Sequence, residues 1–206
     1  MKKLELLWIA FVLSIVLSGC QSNHTDAKPV IYLYPEEEAN VTVKLDYQGQ
    51  LTCTYPEYEN GWNVTAYPDG TLVNHQDDLS YSYLFWEGTS DIEYDLSQGF
   101  VVKGEDTADF LRETLEFQGL TPKEYNEFIV YWLPQLESNP YNLISFQQDT
   151  YTQYAPLTIT PKPDHILRIF MVCKPLEHPI EIQEQELSPF ERDGFTVVEW
   201  GGTLLK

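Results

Sequence analysis

The sequence predicts an α+β domain, in which a mainly antiparallel β-sheet carries a central helix pair packed on one face. Three observations predict this class. Apolar residues recur with a period of two over most of the chain from residue 28 onward. Between residues 106 and 134 the period changes to that of a helix. Strand patterns then return up to residue 200, and the order of strands, helix pair and strands is typical of α+β folds.

The start of the chain has the features of an export signal. Lys2 and Lys3 precede an apolar stretch of 12 residues, 6–17, which a single serine interrupts. A membrane-spanning helix needs about 20 residues, so the stretch is too short to span. It ends in Leu-Ser-Gly-Cys, which resembles the bacterial lipobox. We therefore predict a lipoprotein signal peptide over residues 1–19 and lipidation of Cys20. The alternative is an ordinary secretory signal with a chance cysteine.

Lipidation of Cys20 predicts where the protein is located. Acyl chains such as palmitate contribute about 0.8 kcal/mol per buried CH₂, and two or more chains give stable anchoring. The protein is thus expected on the extracytoplasmic face of the cell membrane, held by its lipid anchor. Residues 20–27 are polar and predict a lipidated tether, and residues 28–206 predict a single globular domain.

Composition limits the partners of this domain. The chain has 12 basic and 32 acidic residues and a formal net charge of −20, which repels phosphate backbones and excludes nucleic acid. Fourteen tyrosines, ten phenylalanines and five tryptophans supply the apolar area of a folded domain. Because acidic, aromatic-rich surfaces suit glycans and peptides, these are the expected partners besides the membrane.

The predicted strands of the first half follow from alternation. Residues 30–34, within the segment KPVIYLYP, are apolar on both strand faces, which predicts a strand covered on both sides. Residues 41–47 and 51–55 alternate apolar with polar side chains and predict a hairpin around Gly49. Further strands are predicted over residues 62–66, 81–86 and 100–103.

Two helices are predicted next. Asp106 is placed to cap the first, and Gly119 is placed to end it. Thr121-Pro122-Lys123-Glu124 has the order of a capping box with proline at the first helical position. This second helix is expected to kink or end at Pro134. Strands are then predicted over residues 143–147, 157–160, 166–173, 180–183 and 195–200.

Three segments resemble a family of uncharacterised exported bacterial proteins and lipoproteins. They are KPVIYLYP, the segment Tyr83-Leu84-Phe85-Trp86-Glu87-Gly88, and the closing GFTVVEWGG of residues 194–202. The resemblance runs from about Lys28 to Gly202. It implies export and a single domain, and it implies no activity and no site residues.

The sequence shows no pattern typical of a metal or cofactor site. Its four histidines are scattered, and paired-cysteine spacing is absent, so we predict no metal and no cofactor. The acidic runs 36–38 and 77–78 leave calcium as an open alternative. Cys53 and Cys173 alternate with apolar neighbours and are expected to face a core, either as free thiols or as a disulfide.

Glu87 and Glu199 are the acids that come nearest to a catalytic pattern. Each lies on an apolar strand face just before a glycine, and acids in such surroundings tend to have the raised pKa values that general acids need. Alternatively, they are strand-end carboxylates that turn to solvent. No catalytic residue is assigned, and these two are the candidates if the protein is an enzyme.

Two functions remain open at this stage. A surface-anchored binding or interaction domain is favoured, because the sequence contains no nucleophile motif and no phosphate-binding loop. The alternative is a hydrolase of cell-envelope glycan that uses a carboxylate pair.

The lipobox generates the first testable prediction. Cys20→Ala should move the protein from the membrane fraction to a soluble fraction, because the substitution removes the lipidation site. Fractionation of cells followed by an alkaline membrane wash measures this. A variant that stays membrane-bound after the wash would show that the anchor lies elsewhere.

Overall fold

Two β-sheets and a helix pair form three layers. The computed structural model describes residues 24–205. The strands are β1 His24–Tyr34, β2 Ala39–Leu45, β3 Gln50–Tyr55, β4 Trp62–Ala66, β5 Leu72–Asn74, β6 Ser80–Tyr81, β7 Leu84–Ser90, β8 Phe100–Lys103, β9 Tyr141–Phe146, β10 Leu157–Thr160, β11 His165–Leu176 and β12 Thr196–Leu204. The helices are α1 Thr107–Phe117, α2 Pro122–Leu136 and α3 Asp149–Tyr154, and a 3₁₀ turn, Gly104–Asp106, precedes α1.

The larger sheet has seven strands in the order β3-β7-β1-β12-β11-β9-β8, and the smaller has five in the order β10-β2-β4-β5-β6. Every pair of neighbours is antiparallel except β11 and β12, which are parallel. α1 and α2 pack on one face of the larger sheet, and the smaller sheet covers the other face. The predicted α+β class with a helix pair on one face is therefore confirmed, with a second sheet as an added layer.

β1 lies between β7 and β12 and belongs to both cores. Val30 and Tyr32 pack against the helix layer, while Ile31 and Leu33 pack against the smaller sheet. All four side chains are fully buried. Burying one such side chain stabilises the fold by about 1.5–3 kcal/mol. The predicted strand that is covered on both faces is thus confirmed.

β1 begins earlier than the sequence predicts. His24, Thr25 and Asp26 pair with residues 88–90 of β7, and Asp26 is fully buried. The last four residues of the predicted tether therefore belong to the folded domain. Alternation could not show this, because His-Thr-Asp contains no apolar residue and is held by backbone pairing. The predicted signal peptide, Cys20 and the first residues of the tether lie outside the described residues.

The hairpin predicted around Gly49 is wrong. β2 pairs with β4 and β10 in the smaller sheet, whereas β3 pairs with β7 at the edge of the larger sheet. Residues 46–49 carry the chain from one sheet to the other. Alternation identifies each strand and its buried face, but it does not identify the neighbouring strand.

Both predicted helices are present. Leu111 and Leu115 of α1, with Phe128 and Trp132 of α2, pack in the helix-side core. α2 continues through Pro134 to Leu136. Gly119 follows α1 with φ +101°, a backbone conformation that side-chain-bearing residues rarely adopt. α2 begins with the predicted capping box, in which Glu124 Oε2 accepts the Thr121 N–H at 2.8 Å.

Residues 177–195 form a long connection between the parallel strands β11 and β12. The strand predicted over residues 180–183 is absent: within the described chain this segment makes a single bridge, from Gln183 to Gln98. Gln185 accepts the N–H of Phe146 at 2.9 Å and donates to its carbonyl at 2.6 Å. Side chains rather than a backbone ladder therefore hold this connection in place.

Arg192 attaches the same connection to the helix pair. Its guanidinium donates to the carbonyl of Gly119 and forms a close ion pair with Glu124, which is fully buried. The Tyr34 hydroxyl donates to the same carboxylate at 2.7 Å. Glu124 thus joins a helix start, β1 and the β11–β12 connection.

This ion pair generates a stability prediction. Arg192→Met should lower the free energy of unfolding by roughly 3 kcal/mol, because it leaves the Glu124 charge buried without its partner. Arg112→Met is the matched control. Arg112 pairs with Asp109 on the surface, with about half of its side chain exposed, and its loss should cost below about 1 kcal/mol. Urea unfolding measures both, and equal midpoints would contradict the role given to Glu124.

Candidate binding groove

A groove forms where the larger sheet extends beyond the smaller one. β10 is the last strand of the smaller sheet on this side, and beyond it α3 covers part of β11. The ring of Tyr151 from α3 stacks on Phe170 of β11, with centroids 4.1 Å apart. Because α3 is only six residues long, the start of β11 beside it remains accessible.

The groove has a volume of about 510 Å³. The groove is lined by Gln148 at the start of α3, by Thr152 within α3, and by residues 188–190 of the β11–β12 connection. Pro156, Leu157 and residues 166–168 complete the lining. The volume falls within the range of about 300–1,000 Å³ that is typical of small-molecule sites.

A buried ion pair lies at this groove. Arg168, one of the lining residues, is directly opposite Glu199 in the parallel register of β11 and β12. Its Nε lies 2.5 Å from Glu199 Oε2, and the two side chains are 8% and 0% exposed. Trp86 Nε1 donates to the other Glu199 oxygen at 3.1 Å. Both carboxylate oxygens therefore have a donor.

The Arg168 guanidinium packs against Tyr151. Its Nη2 is buried, and the Tyr151 hydroxyl lies close to both Arg168 and Glu199. The guanidinium carbon lies 4.7 Å from the centre of the Tyr151 ring. Arg168, Tyr151 and Glu199 thus form one buried polar cluster next to the groove.

Sequence reasoning missed Arg168, although a signal was present. It is the only charged residue in the apolar run 166–173. A charged residue in a strand buried on both faces requires a partner, because an isolated buried charge is strongly unfavourable. The partner here is Glu199, a predicted candidate.

Asp26 is a second buried acid on the same side of the larger sheet. Its two oxygens accept hydrogen bonds from Tyr47 at 2.7 Å and Tyr94 at 2.8 Å. Burial raises the pKa of Asp26, and the two tyrosine hydrogen bonds oppose that shift. The negative charge of Glu199 raises this pKa further. Asp26 was not a predicted candidate, because it lies within the predicted tether.

Glu87 does not meet Glu199. On β7, Trp86 faces the smaller sheet, where it contacts Glu199, so the next side chain faces the helices. There Glu87 accepts the Lys28 N–H at 3.3 Å, and its charge raises the pKa of Tyr131 on α2, as burial does. The larger sheet therefore separates the two acids, and they do not form a carboxylate pair. Each acid was assigned correctly to an apolar face of its own strand, but the two faces belong to opposite sides of the sheet.

Lys28 lies at a β-bulge beside Glu87. The register of β1 shifts here against both neighbours, and Lys28 has φ +58°. Its Nζ lies 5.2 Å from the centre of the Tyr83 ring and 5.9 Å from those of Phe85 and Tyr131. The lysine itself thus fills this aromatic cluster on the helix side.

Comparison with known proteins gives one relative. No protein-family model matches the chain, and no solved structure matches it. A protein of Butyrivibrio fibrisolvens, described as an uncharacterized protein in the bglA 3′ region, is 42% identical over 85 residues. The match covers 37% of this chain and 86% of the relative. The chain belongs to the family of this Butyrivibrio protein. The relative's description gives no activity, so function in this family rests on the site.

The two cysteines considered in the sequence analysis, Cys53 and Cys173, are not among the residues that line the groove. Cys53 is exposed on the edge strand β3, and Cys173 is buried on β11, with three strands between β3 and β11. Both are free thiols, so the disulfide alternative is wrong, as is the core position expected for Cys53. Burial raises the pKa of Cys173 to about 12, which keeps it protonated.

The acidic runs 36–38 and 77–78 of this family member are exposed. Within residues 24–205, no group of three or more His, Cys, Asp or Glu side chains is arranged to hold a metal ion. No helix in the described part of the chain has the length and apolar character needed to cross a membrane.

Asp26 generates a pH-dependent prediction. Because its folded-state pKa is raised, the stability it contributes is fully present below the unfolded-state pKa near 3.8 and is lost as the pH rises through the folded-state value. Asp26→Asn resembles the protonated acid and does not titrate. The variant should therefore gain stability relative to wild type as the pH rises above about 4.

Asp69→Asn is the control, with the opposite sign. Asp69 is exposed, and the Thr71 N–H that donates to it lowers its pKa. Its contribution is present above the unfolded-state pKa and is lost as the pH falls through the folded-state value, so this variant should lose stability relative to wild type as the pH rises. Urea unfolding over the pH range measures both. The same pH trend in the two variants would contradict the assignment for Asp26.

Proposed function

We propose that this protein is a lipoprotein anchored through Cys20 on the extracytoplasmic face of the cell membrane, and that its domain binds a ligand in the groove beside Arg168. The observation that carries the binding function is a preformed groove of about 510 Å³ whose lining combines polar and apolar side chains. A preformed groove with few polar groups is the usual form of a binding site.

The early start of β1 supports a short connection to the membrane. Three residues separate Cys20 from His24, the first residue of β1. Four residue steps of about 3.5 Å reach about 14 Å at most. The His24 end of the larger sheet would therefore lie close to the bilayer surface.

The groove lies at the other end of β1. Arg168 is opposite Glu199, which is opposite Ile31 of β1. Ile31 follows His24 by seven residues, and at about 3.3 Å per residue in a strand this is about 23 Å. A ligand would thus enter the groove well above the membrane, from the extracytoplasmic space.

Binding is favoured over hydrolysis by the placement of the acids. Both oxygens of Glu199 are bonded to Arg168 and Trp86, and Glu87 lies across the sheet. A glycosidase needs two carboxyl groups about 5–10 Å apart on either side of the scissile bond. The hydrolase alternative would therefore need acids other than this pair.

The groove is tested by blocking it. Ser188→Trp places a large ring in the groove from an exposed position on the β11–β12 connection. In calorimetric titrations of the detergent-solubilised protein with soluble cell-envelope fragments, this variant should bind at least about tenfold more weakly than wild type. Ser138→Trp, on the exposed segment after α2, is the control and should bind as wild type does. Undiminished binding by Ser188→Trp, or no binding by wild type, would overturn the proposal.

A further inference from the structure

We infer that the free edge of β8 is a second binding surface, to which a partner protein adds a short extended segment of alternating apolar and basic residues as a further strand of the larger sheet. None of the residues that line the cleft at this edge lines the groove of the proposed function. Three features lead to the inference: unpaired backbone groups, an apolar cleft and an acidic rim.

The backbone of β8 is paired with a strand on one side only. β8 is the last strand of the larger sheet, and its neighbour is β9. On the outer side, the Gly99 N–H donates to the carbonyl of Gln183 at 3.0 Å. Backbone groups of successive residues in a strand point to alternate edges, so those of Val101 point outward like those of Gly99. In the described chain they form no backbone hydrogen bond there, and an added strand can pair with them.

A cleft of about 610 Å³ lies along this edge. Phe100 and Val102 of β8 line it together with Phe110 of α1, and they belong to the helix-side core. Ile180 and Ile182 contribute apolar side chains from the β11–β12 connection. Because side chains of a strand alternate between its two faces, every second side chain of an added segment would face this cleft and should be apolar.

Glutamates form the rim of the cleft. Glu181 and Glu184 are among its lining residues, and both are exposed. The surrounding segment, residues 177–191, contains five glutamates and no lysine or arginine. Such a concentration of negative charge attracts cations and disfavours acidic partners. The residues between the apolar ones of the added segment should therefore be lysine or arginine.

A basic segment fits this edge better than a second copy of the chain does. Each copy carries a net charge of −20, and pairing of two β8 edges would bring two sets of these glutamates together. Homodimerisation through β8 is thus the alternative that the experiment has to exclude.

The other sheet edges are less suited to strand addition. β10 lies between Pro156 and Pro161, and β6 has two residues. β3 has a register shift against β7 between Leu51 and Cys53. Flanking prolines, very short strands and bulges each hinder the addition of a further strand.

Peptide titration of the detergent-solubilised full chain tests the inference. The probe is an end-blocked pentapeptide of alternating lysine and valine. One control peptide has glutamate in place of lysine, and the other keeps the lysines but has N-methylated backbone amides, which cannot donate. The lysine peptide should bind, and both controls should bind at least about tenfold more weakly. Its affinity should fall as the ionic strength rises.

Val101→Pro tests the edge itself. Proline removes the outward N–H, and an edge strand tolerates proline where the N–H faces away from the neighbouring strand. The variant should bind the lysine peptide at least about tenfold more weakly. Thermal unfolding verifies that it is folded. If it is not, Ile180→Trp, which places a large ring at the cleft from a position that is 48% exposed, takes its place with the same expected direction.

The double variant Glu181→Gln with Glu184→Gln tests the rim. Loss of these two exposed charges should weaken binding of the lysine peptide about fivefold at low ionic strength. Glu57→Gln with Glu59→Gln is the matched control. It changes the net charge equally on the exposed segment after β3, at the opposite edge of the larger sheet, and should bind the peptide as wild type does.

Each contrary outcome overturns a stated part of the inference. No binding of the lysine peptide to wild type, or equal binding of the N-methylated peptide, would overturn strand addition. Equal binding of the glutamate peptide would overturn the basic class of partner. Undiminished binding by folded Val101→Pro would overturn the assignment to β8. A dimer in sedimentation that Val101→Pro dissociates would assign the edge to a second copy instead. Ser188→Trp should leave peptide binding unchanged, so this inference and the proposed function fail independently.

Discussion

The fold depends on the burial of β1 on both of its faces. Val30 and Tyr32 on one side and Ile31 and Leu33 on the other are fully buried, so the helix layer and the smaller sheet both pack against this strand. A strand with two apolar faces is stable only when two further layers cover it. The three-layer architecture follows from this requirement, and the groove forms where the outer layer of strands ends before the larger sheet does.

Buried ion pairs join segments that are distant in sequence in this strongly acidic chain. The sequence contains three arginines, and two of them, Arg168 and Arg192, bind glutamates that are fully buried. Arginine suits this role because its planar group bonds several acceptors at once. Such pairs add little net stability compared with apolar packing, but the loss of one partner is strongly destabilising. They therefore fix which strands and helices are neighbours.

The two pairs differ in what surrounds them. The guanidinium of Arg192 is used fully, because it bonds to both Gly119 and Glu124 and closes the β11–β12 connection over the helix pair. Arg168 bonds to Glu199 through Nε and is one of the residues that line the groove. One buried pair thus holds the β11–β12 connection to the helix pair, and the other lies between two neighbouring strands at the groove.

The sequence by itself determined most of the strands, the helix pair and the burial of KPVIYLYP, because periodicity and capping are local properties of the chain. It also singled out Glu199 as an acid on an apolar face. Only the tertiary structure decided which strands pair, and it puts β2 and β3 in different sheets. It also shows that Asp26 is buried in the domain, and that Glu87 and Glu199 lie on opposite faces of the larger sheet. The parallel register of β11 and β12 places Arg168 directly opposite Glu199. Register between strands that are distant in sequence depends on how the layers pack together, and no local pattern encodes it.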